Sequence, residues 1–139
     1  MKKVFLFMAV AALTFSLNSC SSDSGGGSSV SFKVGGTSKS FKTTATSSGG
    51  TVFVIGYIGS AADPSETASF SIESGATGDV MDNISYTNDT DTYYSGSGTS
   101  DVTLNNGSSV KGTFSGTLEP FDSANPTLTV TNGKISASY

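Results

Sequence analysis

The residue types that usually carry out chemistry are scarce in this sequence. Its 139 residues include no His and no Arg, and Cys20 is the single cysteine. Nucleophilic catalysis normally pairs Ser or Cys with a base such as His, and phosphoryl transfer relies on cationic clamps. The residues for both arrangements are missing, so neither chemistry is expected.

Paired carboxylates are the remaining familiar device for acid-base catalysis, as in glycoside hydrolysis. Glu66, Glu73 and Glu119 are the glutamates of the chain. None of them has the apolar sequence setting that turns a carboxyl group into a general acid. We interpret them as solvated charges, and we expect no enzymatic activity and no cofactor; a carboxylate-based hydrolase is the unfavoured alternative.

Oxygen ligands for a cation are concentrated around TNDTDTYY, where Asp89 and Asp91 lie close together. Ca²⁺ prefers such ligands, but an EF-hand-type loop needs a Gly at its sixth position and a Glu at its twelfth, and both are missing. Asp and Asn also form turns and protect strand edges. We therefore expect no metal site and name Asp89 and Asp91 as the candidate calcium ligands.

Three tyrosines, Tyr86, Tyr93 and Tyr94, lie in one segment beside the glycine-rich stretch SGSGTSD. Tyrosines near polar loops can stack on sugars or on hydrophobic ligands. These three are the candidate ligand-binding residues, and packing in the core or on a sheet face is the alternative.

A short motif in the segment EPFDSANP concerns modification. Asp122-Ser123-Ala124 resembles the Asp-Ser/Thr-small acceptor motif of Bacteroidota O-glycosylation. The resemblance makes Ser123 a candidate O-glycosylation site.

The elements that must position these residues are short β-strands. From residue 30 onward, Gly and Asn recur between stretches of alternating apolar and polar residues, and no window has a sustained helical period. Residues 109–118 alternate most clearly, with Val110, Phe114 and Leu118 on one face. We predict an all-β domain over 30–139, an antiparallel β-sandwich or flattened barrel of about eight to ten short strands in meander order.

Two finer predictions concern turns, and a third concerns the faces of one strand. Asn132-Gly133 is typical of a type I′ hairpin turn, which would oppose Val130 to Ile135. A three-residue loop at 105–107 would oppose Val102 to Val110. Strand 51–58 is apolar on both faces, which predicts a central strand covered on both sides.

The N-terminal residues are typical of an export signal. Lys2 and Lys3 precede a fourteen-residue apolar run at 4–17, which is too short to span a bilayer of roughly 30 Å. The sequence Leu17-Asn18-Ser19-Cys20 that follows resembles the lipobox of bacterial lipoproteins. That resemblance implies cleavage of residues 1–19 between Ser19 and Cys20, with palmitate-type acylation of Cys20.

Residues 20–29 would then form a lipidated cysteine and a Gly/Ser tether. A flexible nine-residue chain spans roughly 17 Å, and the lipid would be the membrane contact. A Ser/Asp stretch and a Gly/Ser spacer after the cysteine resemble surface lipoproteins of Bacteroidota-type bacteria. We expect a cell-envelope protein anchored to the outer membrane, facing either the surface or the periplasm.

Net charge limits the partners. The formal charge is −4 and the chain lacks arginine. Binding to nucleic acid requires a basic face, so we expect no nucleic-acid partner. The same charge argues against an electrostatic membrane patch.

The order of the motifs is similar to one family. A lipobox, a Gly/Ser tether, SFKVGGTSKSF, TVFVIGY, VKGTFSGTL and LTVTNGKIS occur in sequence, as in the small Bacteroidota lipoproteins of the DUF6252 group. The resemblance implies an envelope lipoprotein with an all-β domain and transfers no site residues. We therefore expect a non-catalytic binding module for a glycan, peptide or small hydrophobic ligand, with an unknown partner. The alternative is a structural or adhesion component that acts through its sheet edges.

Overall fold

The computed structural model describes residues 27–139, and every regular element within this range is a β-strand. The prediction of an all-β antiparallel domain is confirmed, with eight strands. Their bounds are Ser29–Val34 (β1), Thr37–Ser48 (β2), Thr51–Gly59 (β3), Pro64–Glu73 (β4), Met81–Thr87 (β5), Thr92–Asn105 (β6), Ser109–Pro120 (β7) and Leu128–Ser138 (β8).

The strands form a closed up-and-down barrel. Each strand pairs antiparallel with the next in the sequence, and β1 closes the sheet by pairing with β8. In the closing register Ser29 lies opposite Ser136 and Val34 lies opposite Val130. Tight turns favour this meander: Gly35 and Gly36 both have positive φ, as a two-residue type I′ turn requires.

The apolar face of each strand points into the barrel. On β7, Val110, Phe114 and Leu118 are buried while Lys111 and Thr113 between them are exposed. Aromatic rings fill much of the interior, so the barrel is a packed core. Its buried hydrophobic residues are Val30, Phe32, Phe41, Val52, Val54, Ala68, Phe70, Ile72, Tyr86, Tyr93, Val102, Val110, Phe114, Leu118, Val130, Ile135 and Ala137.

Antiparallel order gives the barrel two different ends. The end that we call the loop end carries the turn at 35–36 and the loops 60–63, 88–91 and 121–127. The opposite end, which we call the terminal end, carries the start of β1, the last residue and the connections 49–50, 74–80 and 106–108. The described chain therefore enters and leaves at the same end.

The predicted hairpin at Asn132-Gly133 is wrong. Strand β8 continues through both residues, and Val130 pairs with Gly116 while Ile135 pairs with Gly112. Asn132 has a φ of 54° and lies at a bulge opposite β1. A Cβ atom on Gly133 would lie 2.6 Å from the Phe114 ring, so the Asn-Gly pair makes room for a core aromatic residue.

The predicted pairing of Val102 with Val110 is also wrong. Val102 pairs with Gly112, and Asn105 pairs with Val110, because a bulge between Val102 and Leu104 shifts the register. Asn105 lies within the strand end instead of the loop. Its amide donates to the carbonyl oxygens of Glu73 and Ala76.

Strand β3 is covered on one face only, contrary to the prediction. Val52 and Val54 are buried, whereas Phe53 and Ile55 are 41% and 49% exposed on the outer surface. A closed barrel has one interior, so the second apolar face of β3 remains at the surface.

The predicted signal peptide at 1–19, Cys20 and the predicted tether up to residue 26 lie outside the described residues. Within 27–139 no helix is long and apolar enough to span a membrane.

Candidate functional site

The barrel wall opens between β5 and β6, along a line that we call the seam. The two strands pair only through Ser85, Tyr86 and Thr87 with Tyr94, Tyr93 and Thr92. The connection that precedes β5 meets β6 at an isolated bridge between Gly78 and Val102, where each backbone N–H donates to the other residue's carbonyl at 2.8 Å. Between these two points neither backbone pairs with the other.

Serine hydroxyl groups partly replace the missing backbone bonds of the seam. The N–H of Ile84 donates to Ser95 Oγ at 3.4 Å, and the N–H of Met81 donates to Ser100 Oγ at 3.2 Å. Each hydroxyl holds β5 beside β6 without bringing the two backbones into register. The strands therefore stay together while a depression remains between them.

The seam has a local origin in the sequence of both strands. On β5, Asp82 is the extra residue of a bulge in the pairing with β4, between the pairs Ser71–Asn83 and Ile72–Met81. On β6, Ser95, Gly96, Ser97, Gly98 and Thr99 are exposed, and a bulge lies between Ser95 and Ser97. Small residues in this stretch offer no large side chain that would fill the wall.

Two facing glycines bring β6 very close to β7 beside the seam. Gly98 pairs with Gly116, and a Cβ atom on Gly116 would lie 2.7 Å from Gly98 Cα and still closer to the Ser97 carbonyl oxygen. Such a close approach excludes every larger residue.

A cavity of about 430 Å³ occupies the seam. This volume lies within the usual range of small-molecule sites. Its apolar residues are Met81, Ile84, Phe114, Leu118 and Val130. Its rim consists mainly of Ser, Thr and Gly residues from β6 and β7.

The charged residues that line the seam cavity are both acidic. Asp79 Oδ1 accepts hydrogen bonds from the backbone N–H and the hydroxyl group of Ser100, each at 2.7 Å. The hydrogen bond from the Ser100 hydroxyl, followed by that from its N–H, lowers the pKa of Asp79, so this carboxylate stays ionised. Asp82 is exposed on the same side of the cavity.

The three predicted ligand-binding tyrosines do not share one surface. Tyr86 and Tyr93 are buried, with their ring centroids 6.1 Å apart. Tyr94 points outward, is 44% exposed and packs edge-on against Phe121. Alternation along β6 places Tyr93 and Tyr94 on opposite faces.

Tyr86 belongs to a polar group at the loop end. Its hydroxyl donates to Glu66 Oε2 at 2.6 Å, and Lys39 Nζ donates to Glu66 Oε1 at 2.6 Å. Burial, followed by the hydrogen bond to Glu66, raises the pKa of Tyr86. Burial by itself would raise the pKa of Glu66, but the bonds from Lys39 and Tyr86 outweigh it and lower this pKa.

The remaining glutamates do not join this group. Glu73 ends β4 at the terminal end, whereas Glu66 lies near its start at the loop end. Glu119 lies on β7 next to Gly96.

The candidate calcium ligands take part in loop structure. Asp91 Oδ2 accepts from the Asp122 N–H at 2.9 Å and from Asn125 Nδ2 at 3.0 Å, which ties loop 88–91 to loop 121–127. The bond from Asn125 is the main reason why the pKa of Asp91 is lowered. Asp89 is exposed. Among residues 27–139 no three His, Cys, Asp or Glu side chains are grouped as a metal site.

The two candidate modification sites differ in what the structure shows of them. Ser123 is exposed in loop 121–127, where Asp122 Oδ1 accepts from the Ala124 N–H. Cys20 and the predicted cleavage site after Ser19 precede the described residues.

The seam cavity was missed by sequence reasoning. The alternation of β7 and the glycine-rich stretch of β6 are both visible in the sequence. The cavity requires both features to meet beside a short β5, and that meeting depends on pairing between distant segments.

Fold and site together define an eight-stranded up-and-down barrel whose interior is packed with side chains and whose wall carries a cavity at the seam. No protein-family model matches the chain, and neither does any curated protein or solved structure.

Proposed function

We propose that this protein is a lipid-anchored lipoprotein of the bacterial cell envelope whose barrel is a non-catalytic binding module. The observation that carries the proposal is the seam cavity. The rest of the barrel interior is packed with side chains, while this one part of the wall combines an apolar floor with a hydroxyl-rich rim. Such a combination is typical of small-ligand sites.

The proposed anchor rests on the lipobox-like residues and on the resemblance to Bacteroidota lipoproteins. The terminal end of the barrel, where the described chain begins, would face the outer membrane. The loop end would face away from it, and the seam would open sideways between the two. Acylation at Cys20 and the short tether would hold the cavity within reach of ligands near the membrane.

Replacement of the acylated residue tests the anchor. We expect a Cys20→Ala variant of the full chain to lose palmitate label and to leave the membrane fraction, whereas a Ser22→Ala variant keeps both. Palmitate labelling that persists in the Cys20→Ala protein would contradict the proposal.

Titration with small amphiphilic compounds tests the binding module. We expect the backbone amide signals of 81–84 and 95–100 to shift in ¹⁵N-HSQC spectra. A Thr99→Trp variant places a large side chain at the cavity rim and should abolish the shifts, while Thr37→Trp, at an exposed position outside the cavity, should leave them. Shifts confined to other regions would locate the site elsewhere.

A structural or adhesion role is the second candidate, favoured by two observations. The seam leaves short edges of β5 and β6 without a backbone partner in the described residues, and β3 exposes Phe53 and Ile55. Exposed strand edges can pair with another chain. This role predicts self-association in sedimentation experiments that is weakened by Ile55→Lys.

A further inference from the structure

We propose that the seam cavity selects small organic cations, namely compounds that join an apolar group to a protonated amine. This inference rests on the proposed function, because it assigns a ligand class to the same cavity. Three features of the cavity support it: the floor, the charges and the hydroxyl groups.

The apolar floor of the seam cavity favours a ligand that carries an apolar group. Phe114 and Leu118 on β7 and Val130 on β8 are buried core residues that also border the cavity. Ile84 and Met81 on β5 are half-buried beside them. Since Phe114, Leu118 and Val130 are only 3–4% exposed, a ring or branched chain at the floor removes from water mainly the apolar surface of Met81, of Ile84 and of the ligand itself.

The negative charges that line the seam cavity favour a cationic ligand. Asp79 and Asp82 both border the cavity, and no Lys is among the residues that line it. Ser100 holds Asp79 through two hydrogen bonds to Oδ1, and within residues 27–139 no hydrogen bond reaches Oδ2. A carboxylate held in this way is ready to accept a hydrogen bond from an ammonium group, whereas an anion would meet two like charges.

The hydroxyl groups hold this part of the wall in place. Ser100 Oγ accepts from the Met81 N–H at 3.2 Å and donates to Asp79 Oδ1 at 2.7 Å. Ser95 Oγ accepts from the Ile84 N–H at 3.4 Å. These bonds fix the Asp79 carboxylate beside the apolar side chains that β5 contributes to the cavity.

A neighbouring depression provides an internal comparison. It extends over β6, β7 and β8 and is also lined by Thr99, Ser100 and Phe114, but it carries both Asp101 and Lys134. Its charges are balanced, so it has no reason to prefer a cation. Charge selection is expected only at the seam cavity.

Three probes of one skeleton test the inference: 2-phenylethylammonium, 2-phenylethanol and 3-phenylpropionate. Each is titrated into the ¹⁵N-labelled barrel at pH 7 and low salt, with the signals of 81–84 and 95–100 as the readout. We expect the ammonium compound to bind about fivefold more tightly than the alcohol, as is typical of a partly exposed charge pair. The carboxylate should bind most weakly, and 0.5 M NaCl should reduce the preference for the cation.

Two variants locate the source of the selectivity. Asp82→Asn should lower the ratio of ammonium to alcohol affinity to about twofold or less, because it removes one carboxylate from the rim. Asp101→Asn, in the neighbouring depression, is the matched control and should leave the ratio of ammonium to alcohol affinity unchanged. If the ratio of ammonium to alcohol affinity stays unchanged both in the Asp82→Asn variant and in the Asp79→Asn variant, the charge assignment is overturned.

The outcomes separate the two proposals. Equal binding of the three probes at the seam, or tighter binding of the carboxylate, overturns the cation inference and leaves the binding module standing. Failure of all three probes to shift the seam signals contradicts both. Cation-selective shifts at the seam that Asp82→Asn weakens support both.

Discussion

Glu66 joins three strands at the loop end of the barrel. Lys39 on β2 and Tyr86 on β5 each donate to one of its carboxylate oxygens, and the side chains of the ion pair are only 24% and 19% exposed. A partly buried carboxylate with two strong donors is more stable charged than neutral. The barrel should therefore depend on the ionisation of this one group.

Acid should weaken the barrel through Glu66. Its pKa in the folded state is lowered from 4.5, so its contribution to stability is present above pH 4.5 and is lost as the pH falls through the folded-state value. We expect Glu66→Gln to cost about 1–2 kcal/mol at pH 7, and the difference from wild type to shrink toward pH 3. Urea denaturation at several pH values measures this, with Glu119→Gln as the exposed control. A constant difference across this pH range would contradict the assignment.

Thr43 represents the opposite case, a buried polar group that lacks a partner. Its hydroxyl is buried and has no hydrogen-bond partner in the described residues. Burying an unpaired hydroxyl costs free energy, whereas a methyl group of the same shape does not.

We therefore expect Thr43→Val to stabilise the barrel by about 1 kcal/mol. Thr44→Val, on the exposed outer face of β2, should change stability by less than about 0.5 kcal/mol. Thermal denaturation of the two variants makes the comparison. A destabilised Thr43→Val protein would show that the hydroxyl has a partner in solution.

At the scale of elements, β6 and β7 approach each other very closely beside the seam. Gly98 and Gly116 face each other where the two backbones approach most closely. The neighbouring atoms are backbone atoms, which cannot turn aside as a side chain can. A substitution there must move a whole strand.

Gly116→Ala tests this close approach. Its Cβ atom would lie against the Ser97 carbonyl and Gly98 Cα. We expect a loss of about 1–3 kcal/mol, as for other overpacked sites, together with shifts of the seam amide signals. Ser115→Ala, at the neighbouring exposed position, is the control. An unaltered denaturation midpoint would show that β6 and β7 separate easily.

The strands themselves were largely predictable, whereas their partners were less so. Alternation identified the strand at 109–118, because side chains of a strand alternate between a buried and an exposed face. The Asn132-Gly133 pair was misinterpreted because positive φ suits both a hairpin turn and a bulge. The choice depended on Phe114, which needs the space beside Gly133 and lies far away in the sequence.

At the scale of the whole molecule, backbone pairing is uneven around the closed barrel. Strand β3 pairs along its length with both β2 and β4, whereas β5 and β6 share three residue pairs. Local opening should begin where backbone pairing is weakest. We therefore expect the barrel wall to open locally at the seam first.

Hydrogen exchange should reveal this difference. We expect the amides of Met81 and Ile84, which donate to serine hydroxyls, to exchange at least about tenfold faster than those of Val52 and Val54 in β3. Exchange monitored by NMR at neutral pH gives both rates in one sample. Equal protection of the two groups would mean that the seam opens only with the whole barrel.

The sequence by itself determined the class of the domain: an all-β chain of short antiparallel strands with apolar residues on alternate positions. It also predicts the leader, the acylated cysteine and the tether, which depend on local residue order. Tertiary structure alone decided that the sheet closes, that Tyr86 and Tyr93 enter the core and that a cavity forms at the seam. The reason is physical. Closure, bulges and the seam depend on pairing between segments far apart in the chain, and a local sequence pattern does not specify which distant segment its strand will pair with.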